Sequence, residues 1–120
     1  AESNIKNEIR DFLLKEFKRT KIRTKIISLI LYGSMQTETA RKGSDIDIAV
    51  VVPGVADLNS VENVFLSEIA PGFKAYFGVQ IDSYIKSASE FKERLKKNQP
   101  PVSTLMKSYS VLYGKEPLEI

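Results

Sequence analysis

The chain has 120 residues, with 18 Lys plus Arg against 15 Asp plus Glu, a net charge of +3 and an apolar fraction of 42%. That is the size and balance of one globular domain, residues 1–120, and too short for two. Cysteine and histidine are both absent, which excludes disulfides, thiolate or imidazole zinc sites, cysteine nucleophiles and histidine-based triads, and leaves oxygen to ligate any Mg2+, Mn2+ or Ca2+.

Ile5, Ile9, Phe12, Leu13 and Phe17 recur at helical spacing and predict an opening amphipathic helix, with Ser3 or Asn4 as its cap. Its exit is basic, through Lys15, Lys18, Arg19, Lys21, Arg23 and Lys25, and a second basic run holds Lys92, Arg94, Lys96 and Lys97. Such runs are either solvated helix faces or attractors of a polyanion, whether nucleotide, nucleic acid or an acidic partner. Residues 26–32, "IISLILY", read as a central strand that delivers the chain to Gly33 and Ser34. After a polar loop, residues 46–52 form a second strand, ended by Pro53 and Gly54.

A helix is expected next, with Asn59 and Glu62 at capping-box spacing, Val61, Val64, Phe65 and Ile69 on its apolar face, and Pro71-Gly72 as its stop. The stretch 73–87 then reads as extended, with Val79, Ile81, Ser83 and Ile85 on one face of a third strand and Gln80, Asp82, Tyr84 and Lys86 on the other. Ser87 and Glu90 offer a capping box for a charged helix to about Lys97, which Pro100-Pro101 breaks. Val102, Leu105, Met106 and Tyr109 suggest one more short helix, and "SVLYG" an edge strand. No apolar run approaches the roughly 20 residues that span a bilayer, and the Ala1 start shows no signal-peptide pattern, so a cytoplasmic protein without membrane contact is expected. Strands and helices mix without a βαβ repeat, which predicts an α+β fold: a small mixed β-sheet with helices packed on one face.

Two aspartates stand at the mouth of the second strand. Asp45 and Asp47 alternate with Ile46 and Ile48, so both carboxylates project from one face while the isoleucines enter the core. If the third strand lies beside the second, Asp82 joins them, and three carboxylates on one sheet face suit two magnesium ions. Gly33 allows close approach of a phosphate, and Ser34 adds a hydroxyl and an amide. Singly these are common features of turns and surfaces; their conjunction in this order is what points to chemistry.

The segment "GSMQTETARKGSDID" resembles the signature of the nucleotidyltransferase superfamily that includes the DNA polymerase β-like enzymes: Gly-Ser, ten residues, Asp-x-Asp, and a third aspartate on a later strand. The small size and the closing "VLYGKEP" resemble its minimal nucleotidyltransferases, the MNT proteins. The resemblance implies the nucleotidyltransferase fold, with Asp45, Asp47 and Asp82 as catalytic and metal-binding carboxylates, Gly33 and Ser34 on the nucleotide phosphates, and two Mg2+ ions, or Mn2+, as cofactors. Arg41 and Ser44 are further nucleotide-binding candidates. The family pattern carries an arginine where this loop has Gln36, Thr37 and Glu38, and Arg41 and Lys42 either compensate for it or face solvent.

The implied reaction moves a nucleoside monophosphate, AMP, from a nucleoside triphosphate, ATP, to an acceptor hydroxyl, with release of pyrophosphate. The implied partner is a helical HEPN protein, in a toxin–antitoxin pair whose antitoxin adenylylates the toxin. Two other readings stay open: a catalytically weak nucleotide- or partner-binding subunit, and a transferase acting on a small molecule or an RNA end.

Overall fold

The computed structural model describes residues 2–33 and 45–120. Ile9, Leu13 and Phe17 repeat every four residues, and the opening helix α1 (Glu2–Arg19) buries all three. It begins at Glu2, ahead of the expected caps Ser3 and Asn4. A tight exit turn follows, in which Lys21 takes a left-handed conformation and Ile22 N–H donates to Phe17 O at 3.0 Å. The chain then passes a 3-10 turn (Arg23–Lys25) into β1 (Ser28–Tyr32), whose five residues are all buried.

Strand β2 (Ile46–Val52) runs antiparallel to β1. A helical crossover leads from it to β3 (Ile81–Ser87): α2 (Val55–Val64), a five-residue π-helical turn (Phe65–Ile69) and α3 (Ala70–Phe77). The crossover lets β3 pair parallel with β2. Helices α4 (Ala88–Lys96) and α5 (Val102–Leu105) precede β4 (Tyr109–Gly114), the expected edge strand, which pairs antiparallel with β1. The strand order is β3-β2-β1-β4, a mixed sheet as the α+β reading requires.

Alternation along the strands divides the core between the two faces of the sheet. Leu29, Leu31, Ile46, Ile48, Val50, Val52 and Ile85 meet α1 and the crossover residues Val61, Phe65, Ile69 and Phe73. The helices were expected on one face, and the larger layer lies there. A smaller cover, Phe91 of α4 with Val102 and Leu105 of α5, packs on Ile30, Ala49 and Val51 of the opposite face. The cause is that β1 and β2 are apolar on both faces, and neither could be left to water.

Two helix boundaries differ from the sequence expectation. Helix α2 starts directly after the strand, capped by the extended Gly54, whose carbonyl accepts from Leu58 N–H at 3.0 Å. Asn59 and Glu62 therefore lie inside the helix and do not open it. Pro71-Gly72 does not stop the crossover either. The π turn lets Ala70 N–H reach back to Phe65 O, and Pro71 then sits in the first turn of α3, where its missing N–H costs nothing.

Residues 73–77 are thus helical and not extended. Phe73 and Phe77 come together one helical turn apart and both pack on Phe12 of α1, with ring centroids 5.7 and 5.5 Å away. At α4 the Ser87 hydroxyl accepts from Glu90 N–H at 3.3 Å, as the cap predicts, but the Glu90 carboxylate accepts from Arg94 Nε at 2.8 Å and does not close the box. Among the described residues no helix is long and apolar enough to cross a membrane.

Phe73 is fully buried where α3 meets α1 and the sheet layer. Phe73→Ala is expected to cost about 3–5 kcal/mol, read as a lowered urea midpoint at unchanged slope.

Candidate active site

Parallel pairing sets the centre of the site. In the β2–β3 register Asp47 lies opposite Asp82, and Ile46 N–H donates to Gln80 O at 2.9 Å just outside them. Residues paired this way point to the same face, with strands about 4.8 Å apart. On the other side of β2, Tyr32 pairs with Asp47, and beyond it Tyr109 pairs with Tyr32. One transverse row of the sheet therefore reads Tyr109, Tyr32, Asp47, Asp82. Ile46 and Ile48 turn the other way into the main core, as the alternation predicts.

Asp47 is half-buried, while Asp45 and Asp82 are exposed. Burial first of all, then the charge of Asp82, hydrogen bonding with its carboxyl, and the charge of Asp45 hold the Asp47 carboxyl above the usual carboxylate range. Burial together with Asp47, Asp82 and Tyr84 pushes the Tyr32 phenol up to about 12, so it stays a neutral hydroxyl at physiological pH. Tyr84, two residues along β3 from Asp82, keeps a buried hydroxyl that has no partner among the described residues.

Gly33 follows Tyr32 at φ +76, a conformation that disfavours side chains. A Cβ there would run into Asp47 Oδ2 and lie 3.2 Å from its Cγ. Glycine is thus required by the Asp47 carboxylate itself, in addition to any phosphate approach. Ser34, Arg41 and Ser44, along with Gln36, Thr37, Glu38 and Lys42, lie outside the described residues.

Of the predicted carboxylates the fold brings Asp47 and Asp82 side by side, with Asp45 within electrostatic range of Asp47. Among the described residues no three acidic side chains are gathered tightly enough to hold a metal ion. The donor set fits a divalent cation in chemistry, because two adjoining carboxylates on one face repel until a positive charge or a proton sits between them. Sequence reading missed Tyr32 as a wall of this site. The available signal was its place immediately before Gly33, at the end of a strand beside the aspartates.

The profile of the family described as Nucleotidyltransferase domain matches residues 6–111 of the chain. This chain belongs to that family. No curated protein matches it. Among solved structures this nucleotidyltransferase domain is similar to a "Crystal structure of the toxin-antitoxin with AMP-PNP", with a TM-score of 0.58 and 18% sequence identity over 89% of this chain and 74% of that one. It is also similar to a mutant of the toxin-antitoxin MntA-HpeT, with a TM-score of 0.58 and 16% identity over the same shares. At such identities the likeness establishes the nucleotidyltransferase fold, as expected from the sequence.

The raised carboxyl has a consequence for stability. The folded domain binds the Asp47 proton more tightly than the unfolded chain does, so ionising Asp47 opposes folding. That cost is absent below the ordinary value of 3.8 and is incurred as pH rises through the raised folded value. Asp47→Asn in metal-free buffer is therefore expected to melt at a higher temperature than the parent once the pH is above that folded value, and to lose the advantage at acid pH, by thermal melts across the pH range. Gly33→Ala, with its blocked Cβ, is expected to lose at least about 1–2 kcal/mol in the same melts.

Proposed function

We propose that this nucleotidyltransferase domain is a magnesium-dependent enzyme that transfers AMP from ATP to an acceptor hydroxyl on a protein partner. We further infer that it serves as the antitoxin of a toxin–antitoxin pair, with a helical HEPN protein as the toxin it adenylylates. The observation that carries the reading is the adjacency of Asp47 and Asp82 on one face at the mouth of the sheet, with Gly33 cut back to clear Asp47. Family membership supports the reaction class, and the two similar structures, described as toxin-antitoxin and in one case with AMP-PNP, support the nucleotide and the partner.

In this reading Asp45, Asp47 and Asp82 would hold two Mg2+ ions, or Mn2+, which would supply neutralisation of the triphosphate and the departing pyrophosphate. The acceptor oxygen forms a bond to the α-phosphorus as the bond from that phosphorus to the bridging oxygen breaks, and pyrophosphate leaves with that electron pair. Asp82, the more exposed of the adjoining pair, accepts the hydroxyl proton. Tyr32, neutral and buried beside Asp47, walls the carboxylates from water on the β1 side without adding a charge. Gly33, Ser34, Arg41 and Ser44 form the phosphate grip.

A second reading has one observation in its favour. Gln36, Thr37 and Glu38 stand where related loops carry an arginine, and a weakened phosphate grip would suit a subunit that binds without turnover.

Incubation with labelled ATP, Mg2+ and the helical partner separates the two. Transfer of label to the partner is expected, abolished by a chelator and reduced about 100-fold or more in each of Asp45→Asn, Asp47→Asn and Asp82→Asn. Absence of transfer while the same variants still neutralise the partner would establish the binding reading, and label migrating with RNA would redirect the acceptor.

A further inference from the structure

The basic exit of α1 is not used by the site above. Residues 15–25 carry six cations and one carboxylate, a net +5 in a chain whose total is +3, so the rest of the molecule is slightly acidic. Some of that charge is already committed: Arg19 pairs with Glu16 at 3.0 Å and Glu68 at 3.4 Å, and Lys25 Nζ donates to the Ser60 hydroxyl at 3.1 Å. Lys18, Lys21 and Arg23 are exposed and their side chains have no acidic partner among the described residues. These three line one open hollow of about 260 Å3, with Thr24 completing its wall.

Helix-dipole stabilisation does not account for this arrangement. Cations favour a helix C-terminus only within its last turn, which Lys18 and Arg19 already occupy. Lys21 and Arg23 lie past the end of the helix. Lys21 moreover holds φ +62, the position after a helix where glycine is the usual occupant. The fold would gain from glycine there, yet the chain keeps a cation. The frame beneath is firm: Phe17, Ile22 and Ile26 are buried, and the Thr20 hydroxyl donates to Glu16 O at 2.6 Å. The three charges are thus presented from a fixed turn and not from a loose tail.

The geometry points to a binding site for the phosphodiester backbone of a nucleic-acid strand at the α1 exit, formed by Lys18, Lys21, Arg23 and Thr24. Three converging cations and a hydroxyl suit successive phosphates, and the hollow is smaller than the sites that enclose a whole drug-sized ligand. The site is also separate from the carboxylates. It precedes the Ser28 end of β1, whereas Asp47 pairs with Tyr32 at the other end, about 13 Å of strand away. Binding here therefore requires no turnover at the aspartates.

Fluorescence anisotropy with a labelled oligouridylate and the full chain tests this. Three phosphate contacts imply a slope near −2 in log affinity against log salt, a loss of roughly 20-fold between about 50 and 200 mM salt. Lys18→Glu, Lys21→Glu and Arg23→Glu together are expected to abolish that binding, while Lys92→Glu with Lys96→Glu on α4 leaves it unchanged. Lys21→Gly separates binding from folding: it is expected to melt at a higher temperature and yet flatten the salt slope by about 1. The site is overturned if the triple variant binds the strand as the parent does. It is equally overturned if polyglutamate binds this face as tightly, which would make an acidic protein the partner, or if inorganic phosphate at matched concentration displaces the strand.

Discussion

Two carboxylates on neighbouring parallel strands, Asp47 and Asp82, repel each other at the mouth of the sheet, and the surrounding structure holds them together against that repulsion. Parallel pairing is the device. It puts the starts of β2 and β3 at the same end of the sheet, where an antiparallel neighbour would have carried Asp82 to the far end. The crossover helices make the parallel arrangement possible, and their burial of Val61, Phe65, Ile69 and Phe73 against the sheet anchors the return of the chain.

The neighbours of that pair are adjusted to it. Gly33 has no side chain because Asp47 occupies the space one would fill, and Tyr32 presents a neutral ring where a further charge would be costly. The raised Asp47 carboxyl marks a place where burial and the neighbouring carboxylates disfavour ionisation. Such local cost at a functional centre is tolerable because the two apolar clusters beneath the site bury every residue of β1 and nearly every residue of β2.

The two ends of the molecule differ in electrostatic character. The sheet mouth is acidic, and the α1 exit, beyond the opposite end of β1, concentrates cations. The proposed metal site at one end and the proposed lysine and arginine site at the other lie apart, so the cations of the α1 exit do not neutralise the carboxylates.

Much of this was legible in the chain. The alternation of Asp45, Ile46, Asp47 and Ile48 determined which side chains face out, the almost continuous apolar run "IISLILY" determined a covered central strand, and the spacing from Gly33 and Ser34 to the aspartates carried the family resemblance. Pro71-Gly72 misled because a local breaker is read without its context: only the π turn before it, stabilised by packing of Phe65 and Ile69, gives proline a position that needs no N–H. Asn59 and Glu62 misled for the same reason, since Gly54 had already opened the helix.

What the sequence determined by itself was periodicity, and with it the face each residue takes, because side-chain direction follows from backbone geometry alone. Only the tertiary structure decided that Asp82 stands beside Asp47, that Gly33 exists to clear a carboxylate, and that Tyr32 walls the site. Each is a contact between residues distant in the chain, and its register is set by which strand pairs with which.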